Sequence, residues 1–455
     1  MLGFFRPAPD APEQPASRIA KLFERWRLSV FLSITLGYTV FYVTRLSTSV
    51  SKDAMIGSGV ITIGQAGLID SAFLITYAVG KTVNGFLADR VSARRFFATA
   101  LLISAIGNLA FGVSSTFVIF VLLWSMNGWV QSVGVPTSGV VMSSWFGPRE
   151  LGTRYSIWSL AHHFGEGLTF LFSAHLIGAA TASGVGADAW RAAFLGPGVL
   201  GLVTAFVLYR TLADRPQAVG LPSVATYHGE VAVAATPKPS SLRSLQLGVL
   251  KNPAILLCGV ASGLIYVSRY AMNNWGVYYL QHEYGFSVEQ AGSALATFPI
   301  AGIGGTLLAG PISDRLTGGR RVPVAVVYGL VFCASLAAFY SAEADDAALI
   351  RVALACSGFA MGGLLVFLGG LIAMELVSKR AAGAALGVIG GFSYLGAAMQ
   401  SVVSGYVIER GRIVEHGLVI HDFTAAKWVW LGAPCLAVVL TALLWRAERR
   451  VKPLD

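Results

Sequence analysis

The stretches "GFLADRVSARR" (residues 85–95) and "GPISDRLTGGRR" (residues 310–321) decide the fold between them. Each reads G-x-x-x-D-R, follows a long apolar run and closes on an arginine pair, Arg94 and Arg95 in the first, Arg320 and Arg321 in the second. Gly310 stands 225 residues after Gly85 in a chain of 455. One such turn is a weak signal. Two, in the same orientation at half-chain offset, mark a duplicated unit. The turn also has a physical reading: Gly85 and Gly310 permit close helix approach, and Asp89 and Asp314 are placed to pair with arginine or cap a neighbouring helix start. With Arg90 and Arg315 they form a candidate conformational motif, present once per half.

These turns sit in a chain built for lipid. Of its residues 55% are hydrophobic and 12% charged, with mean hydropathy +0.66, whereas a soluble domain carries roughly 25% charged residues. A membrane span needs roughly 20 mostly apolar residues. Candidate spans run near 29–50, 64–88, 96–114, 117–143, 152–180 and 190–211, then 253–280, 290–312, 322–341, 348–374, 382–407 and 428–446. Residues 1–24 contain prolines and charges but no apolar core, so no cleaved signal peptide is expected before the first span. The longest polar interval contains "ADRPQAVGLPSVATYHGEVAVAATPKPSS" and reads as a linker. The expected architecture is therefore all-α and membrane-embedded, with twelve transmembrane helices in two pseudosymmetric halves. Residues 1–211 form the N-terminal half, 212–252 a cytoplasmic linker and 253–455 the C-terminal half.

Loop charges set the orientation. Arg18, Lys21, Arg25 and Arg27 precede the first span, and the even-numbered turns carry Arg90, Arg94 and Arg95, then Arg149 and Arg154. The second half continues with Arg315, Arg320 and Arg321, then Lys379 and Arg380, then Arg446, Arg449, Arg450 and Lys452. The odd turns are poor in lysine and arginine, or acidic as in "SAEADDA" at 341–347. The positive-inside rule then places both termini and the linker in the cytoplasm of a cell whose inner (plasma) membrane holds the chain, which only an even span count allows. The same bias accounts for the net charge of +10. No basic run or basic-aromatic stripe suggests nucleic acid as a partner. Cys258, Cys333, Cys356 and Cys435 lie in separate apolar segments without metal-ligand spacing, so they read as small buried hydrophobes, and neither metal nor cofactor is expected.

An ionisable residue inside a span costs several kcal/mol unless paired or hydrated, so it is a functional candidate. Arg45 lies within "GYTVFYVTRLSTSV" of span 1 and Arg269 within "GLIYVSRYAMNNWGVYYL" of span 7. Their offset is 224 residues, one short of the motif offset, so they occupy equivalent places in the two halves and should face each other across the pseudo-two-fold axis. Lys81 lies eight residues before Asp89, roughly 12 Å deeper at 1.5 Å per residue. His162, His163 and Glu166 lie in span 5. Two guanidiniums and an ammonium around one cavity repel each other when it is empty and suit a dianion, and planar arginine forks match phosphate oxygens bidentately. Parallel halves place such a site at their interface near the midplane.

At this level a family resemblance becomes specific. The G-x-x-x-D-R turns resemble the signature loop of the major facilitator superfamily. "NGWVQSVGVPTSGVVMSSWFGPRELGTRYSIWSLAHHFGEG" (127–167) and "GAALGVIGGFSYLGAAMQSVVSGYVIERG" are similar to the span 4–5 and span 11 segments of the organophosphate:phosphate antiporter family. "MLGFFRPAPDAP", "DRPQAVGLPSV" and "NNWGVYYL" look closest to its hexose-phosphate sensor branch. The resemblance implies that Arg45 and Arg269 grip phosphate, that Lys81 and His162 join them, and that Tyr38 and Tyr266 line the site. Two positions depart from the family pattern. Leu46 stands where a second basic residue is usual, and Glu166 where glycine is usual. Glu166 is four residues after His162, on the same helix face. It can hold His162 protonated, take a proton itself, or pack against another polar group.

Two functions are expected to share this site. One is an antiporter moving an organophosphate against inorganic phosphate. The other is a receptor for a hexose phosphate that signals to a membrane histidine kinase. A membrane enzyme is not expected, because no HExxH, GxSxG or phosphate loop is present. Glu166 alone suggests proton-coupled carriage of another anion.

Overall fold

The structure, a computed structural model, describes residues 3–88, 90–227, 248–318, 320–377, 382–415 and 418–448. Asp89, linker residues 228–247 and the C-terminal Arg449, Arg450 and Lys452 therefore lie outside the described residues, as do Lys379 and Arg380. The N-terminal half contains α1 (Ala16–Val43), α2 (Ser47–Gly57), α3 (Ile63–Ala88), α4 (Ala93–Val113), α5 (Phe117–Gln131), α6 (Gly134–Trp145), α7 (Pro148–Ser159), α8 (Ala161–Ala182) and α9 (Ala192–Thr211). The C-terminal half contains α10 (Pro253–Tyr284), α11 (Val288–Thr317), α12 (Arg321–Ser341), α13 (Ala347–Val366), α14 (Ala382–Arg410) and α15 (Thr424–Glu448). A two-stranded antiparallel hairpin, β1 (Arg412–Glu415) and β2 (Leu418–His421), joins the last two helices. The helices thus run between a motif end, which bears Gly85 and Gly310, and a hairpin end.

Eleven helices among the described residues are long and apolar enough to cross a membrane, two of them built from the paired segments α1–α2 and α5–α6. The chain is a multi-pass membrane protein. Span 5 completes the expected twelve. It divides at Leu160 into α7 and α8, and α8 carries His162, His163, Glu166 and His175, which make it too polar to stand out by hydropathy. Nevertheless α8 packs between α1 and α11 as a full member of the bundle.

The halves meet along three helix pairs, α3 with α14, α8 with α11, and α2 with α10. Small residues make these approaches. A Cβ on Gly67 would overlap the Ser401 carbonyl of the opposite half, and within the second half a Cβ on Gly358 would overlap the Phe298 carbonyl. At Gly85 and Gly310 the expectation fails, because a Cβ on either would meet nothing within 4 Å. Among the described residues both motif glycines face open space rather than a packed helix. Asp314 pairs with Arg321 at 2.6 Å, and Arg321 also reaches Glu375 at 3.1 Å, so this turn is tied to the end of span 10. Arg90 and Arg315 are exposed.

The hydrogen bonds between halves are one-sided. They comprise His163–Thr306 at 3.0 Å, Glu166 with Arg269 and Asn273, Ser71 Oγ to the Ala398 carbonyl at 2.7 Å, and Lys52 Nζ to the Asn274 carbonyl at 2.6 Å. Nearest the hairpin, His282 meets Asp53 at 2.6 Å, Gln281 meets Asp53 at 3.2 Å, and the Gly64 amide donates to Glu409 at 3.2 Å. Among the described residues none lies nearer the motif end than His163–Thr306. Among the described residues the halves are therefore bonded together at the hairpin end and not toward the motif end.

Candidate functional site

Arg45 stands in a break in the first span. Val43 ends α1 and Ser47 starts α2, so the Thr44 carbonyl has no helical partner. An unsatisfied carbonyl away from water costs about 1–3 kcal/mol. Here Asn108 Nδ2 and Asn127 Nδ2 donate to it at 2.9 and 3.0 Å. Gln131 Nε2 joins the network by donating to Thr44 Oγ1, Ser104 Oγ and Asn127 Oδ1 at 3.0–3.1 Å. That fixes the Gln131 Oε1, which accepts from Arg45 Nε at 2.9 Å. Arg45 is 3% exposed, and its Nη1 and Nη2 have no acceptor in hydrogen-bonding geometry among the described residues. Instead it lies 4.4 Å from the Tyr42 ring centre, 4.5 Å from Tyr77 and 5.3 Å from Phe73.

Arg269 is equivalent in sequence but not in setting. It lies in the unbroken helix α10, and its Nη2 donates to Glu166 Oε1 at 2.5 Å. Asn273, one turn on, donates to the same oxygen at 3.2 Å. Glu166 is 1% exposed and Arg269 5%. Of the partners left open for Glu166, His162 is not the one it takes: His162 Nδ1 turns back to the Ser159 carbonyl one turn earlier, as the helix break at Leu160 allows. The carboxylate goes to the stronger partner, a guanidinium in the opposite half.

Aromatic rings connect the cations. Tyr77 lies 4.8 Å from Tyr394, and Tyr394 lies 5.8 Å from Tyr266 and 6.3 Å from Tyr270. Both latter rings flank Arg269, at 5.5 and 5.8 Å. Lys81 is partly buried, with Nζ 5.5 Å from the Tyr394 ring centre. Tyr38 stacks on Trp158 at 4.7 Å and meets the edge of Tyr42, so it supports the wall of the site rather than touching Arg45. His162 packs 5.9 Å from Tyr42. Thus Arg45, Arg269, Lys81, Glu166 and Tyr266 converge, His162 lies at the border, and Tyr38 stands behind.

Sequence reasoning missed Tyr42, Tyr77, Tyr270 and Tyr394. Tyr77 had a readable signal, being four residues before Lys81 on one helix face. Also missed was the buried pair Lys52–Asp70 at 2.7 Å, beside which Lys52 lies 3.9 Å from the Trp275 ring centre. Lys52 fell just past the expected end of span 1, and Asp70 was a lone carboxylate inside span 2.

The Major Facilitator Superfamily model matches residues 27–401. The chain belongs to that superfamily. Within it, the sequence is 33% identical to a probable hexose phosphate transport protein of Chlamydia muridarum, over 94% of this chain and 91% of that one. It is 32% identical to the membrane sensor protein UhpC of Salmonella typhimurium (90% and 92% covered). It is 30% identical to the glycerol-3-phosphate transporter of Bacillus subtilis (99% and 100%). These relatives place the chain in the organophosphate:phosphate antiporter family. Among solved structures, a bacterial homologue of the human lysosomal transporter Spinster superposes with TM-score 0.72 at 16% identity, covering 94% of this chain and 98% of that one, which shows the shared fold.

Proposed function

We propose that this chain is a secondary transporter, not an enzyme. It carries an organophosphate, a sugar phosphate or glycerol phosphate, across the inner membrane in exchange for inorganic phosphate. Both termini and the linker, residues 212–252, lie on the cytoplasmic side, which makes the motif end cytoplasmic. The observation that carries the reading is Arg45. Its buried guanidinium is oriented through Nε and leaves two Nη donors without an acceptor among the described residues. A phosphate ester presents the matching acceptors and a charge of about −1.5 to −2 at neutral pH. Arg45, Arg269 and Lys81 against Glu166 leave an excess of two positive charges for it. Arg45 takes the phosphate bidentately, Arg269 approaches from the other half, and the tyrosine hydroxyls face the organic moiety. Alternating access then requires Lys52–Asn274 and His282–Asp53 to open at the hairpin end as the motif end closes.

The similarity to a membrane sensor over 90% of the chain favours one further reading, a hexose-phosphate receptor signalling to a histidine kinase. Purified protein in phosphate-loaded proteoliposomes separates the two. A transporter accumulates labelled glucose 6-phosphate or glycerol 3-phosphate. Binding without accumulation contradicts transport and supports the receptor.

A further inference from the structure

The ion pair between Arg269 and Glu166 bears on the transport cycle itself, and its role there rests on the transport reading. Glu166 belongs to the N-terminal half, and Arg269 and Asn273 belong to the C-terminal half. One carboxylate oxygen therefore accepts two hydrogen bonds from the opposite half, with both charged partners almost completely buried. This is the geometry that a phosphate oxygen bridging the halves would adopt. The carboxylate is tethered, so it is present whether or not substrate is.

The consequence lies in the empty site. Closing two halves around uncompensated cations desolvates like charges in a low-dielectric space, which is strongly unfavourable. A carrier with only arginines and lysine there can reorient loaded but not empty, and is confined to exchange. Here the empty site already holds part of its compensation, the charge on one of its three cations being paired. Arg269 has Glu166, and Arg45 lies against Tyr42, Tyr77 and Phe73 with Nε on Gln131. Lys81 is only partly buried.

We infer that Glu166 is a built-in stand-in for the substrate's phosphate, one that lets the empty protein close and reorient, so that the chain carries out net transport as well as exchange. The arriving phosphate displaces Glu166 from Arg269, and its departure restores the pair. Glu166 is then a specificity-determining residue for the transport mode rather than a ligand of the substrate.

The test uses the full-length protein in proteoliposomes and labelled inorganic phosphate as the probe. Uptake is compared between vesicles loaded with unlabelled phosphate and vesicles containing no phosphate or ester, with the membrane potential clamped. Wild type should take up label in both. Glu166→Gln, nearly the same shape without the charge, should lower the ratio of net uptake to exchange at least about tenfold, because one partner of a buried pair is lost. Glu166→Asp, which keeps the charge, should restore much of that ratio. Wild-type exchange without net uptake overturns the inference and leaves the transport reading standing, as does a ratio unchanged in Glu166→Gln. Absence of wild-type exchange overturns both.

Discussion

Replacing Arg45 by lysine separates charge from geometry at the site. Arg45 spends Nε on Gln131 at 2.9 Å and offers Nη1 and Nη2 inward. Lysine has the charge but a single terminal nitrogen, so it cannot hold Gln131 and present a two-pronged face together. The expected loss is one charge-assisted hydrogen bond of about 1.5–3 kcal/mol, which weakens binding roughly 10- to 150-fold. The fold should survive. Gln131 keeps its bonds to Thr44, Ser104 and Asn127, and the Thr44 carbonyl keeps both asparagines. The assay is equilibrium binding of labelled glucose 6-phosphate or glycerol 3-phosphate to protein in detergent, beside thermal unfolding. Arg269→Lys belongs in the same series and should also lose affinity, since its second prong is what the phosphate takes over from Glu166. Affinity in Arg45→Lys within about threefold of wild type, less than 1 kcal/mol, would refute the fork. So would an affinity loss explained wholly by unfolding.

Three further outcomes follow from the packing and the loops. Gly358→Ala forces a Cβ into the Phe298 carbonyl and should destabilise the second half by about 1–3 kcal/mol, seen as a lower Tm in detergent. His421, in the hairpin with Nε2 3.1 Å from the Tyr278 hydroxyl, is pushed down from 6.5 to about 4, first by burial and then by His282 and Arg412. A histidine depressed in the fold stabilises it above the unfolded value, so stability should fall as pH drops from 6.5 toward 4, and His421→Gln should flatten that part of a Tm–pH curve. Single cysteines at Thr226 and Asp345, both exposed, should label with impermeant reagents from opposite sides of the membrane; labelling from one side would contradict the span map.

The architecture was legible because it rests on periodic, redundant signals. Two G-x-x-x-D-R turns at half-chain offset pointed to two repeated halves, and the long apolar runs between them gave the spans. The arginine pair was legible for the same reason, as it repeats at the motif offset. What repetition could not reveal is where the halves differ. Nothing in "TRL" at 44–46 announces a helix break, because its stability comes from Asn108 and Asn127 in other spans. Glu166 was visible as an anomaly, but spacing within its own helix pointed to His162, and the partner that won is in the other half. Helical periodicity reports only neighbours on the same helix. The open space around Gly85 and Gly310 depends on how whole helices sit against one another, which spacing within a single turn does not encode.

In the proposed mechanism a phosphate ester is held between the halves by Arg45 and Arg269. An experimental structure of the full chain with glucose 6-phosphate or glycerol 3-phosphate bound tests it most directly. The phosphate should lie within hydrogen-bonding distance of both Nη atoms of Arg45 and of Arg269, with Glu166 drawn off the guanidinium it holds in the empty site. A phosphate bound elsewhere, or one that leaves the Arg269–Glu166 pair intact, would contradict it.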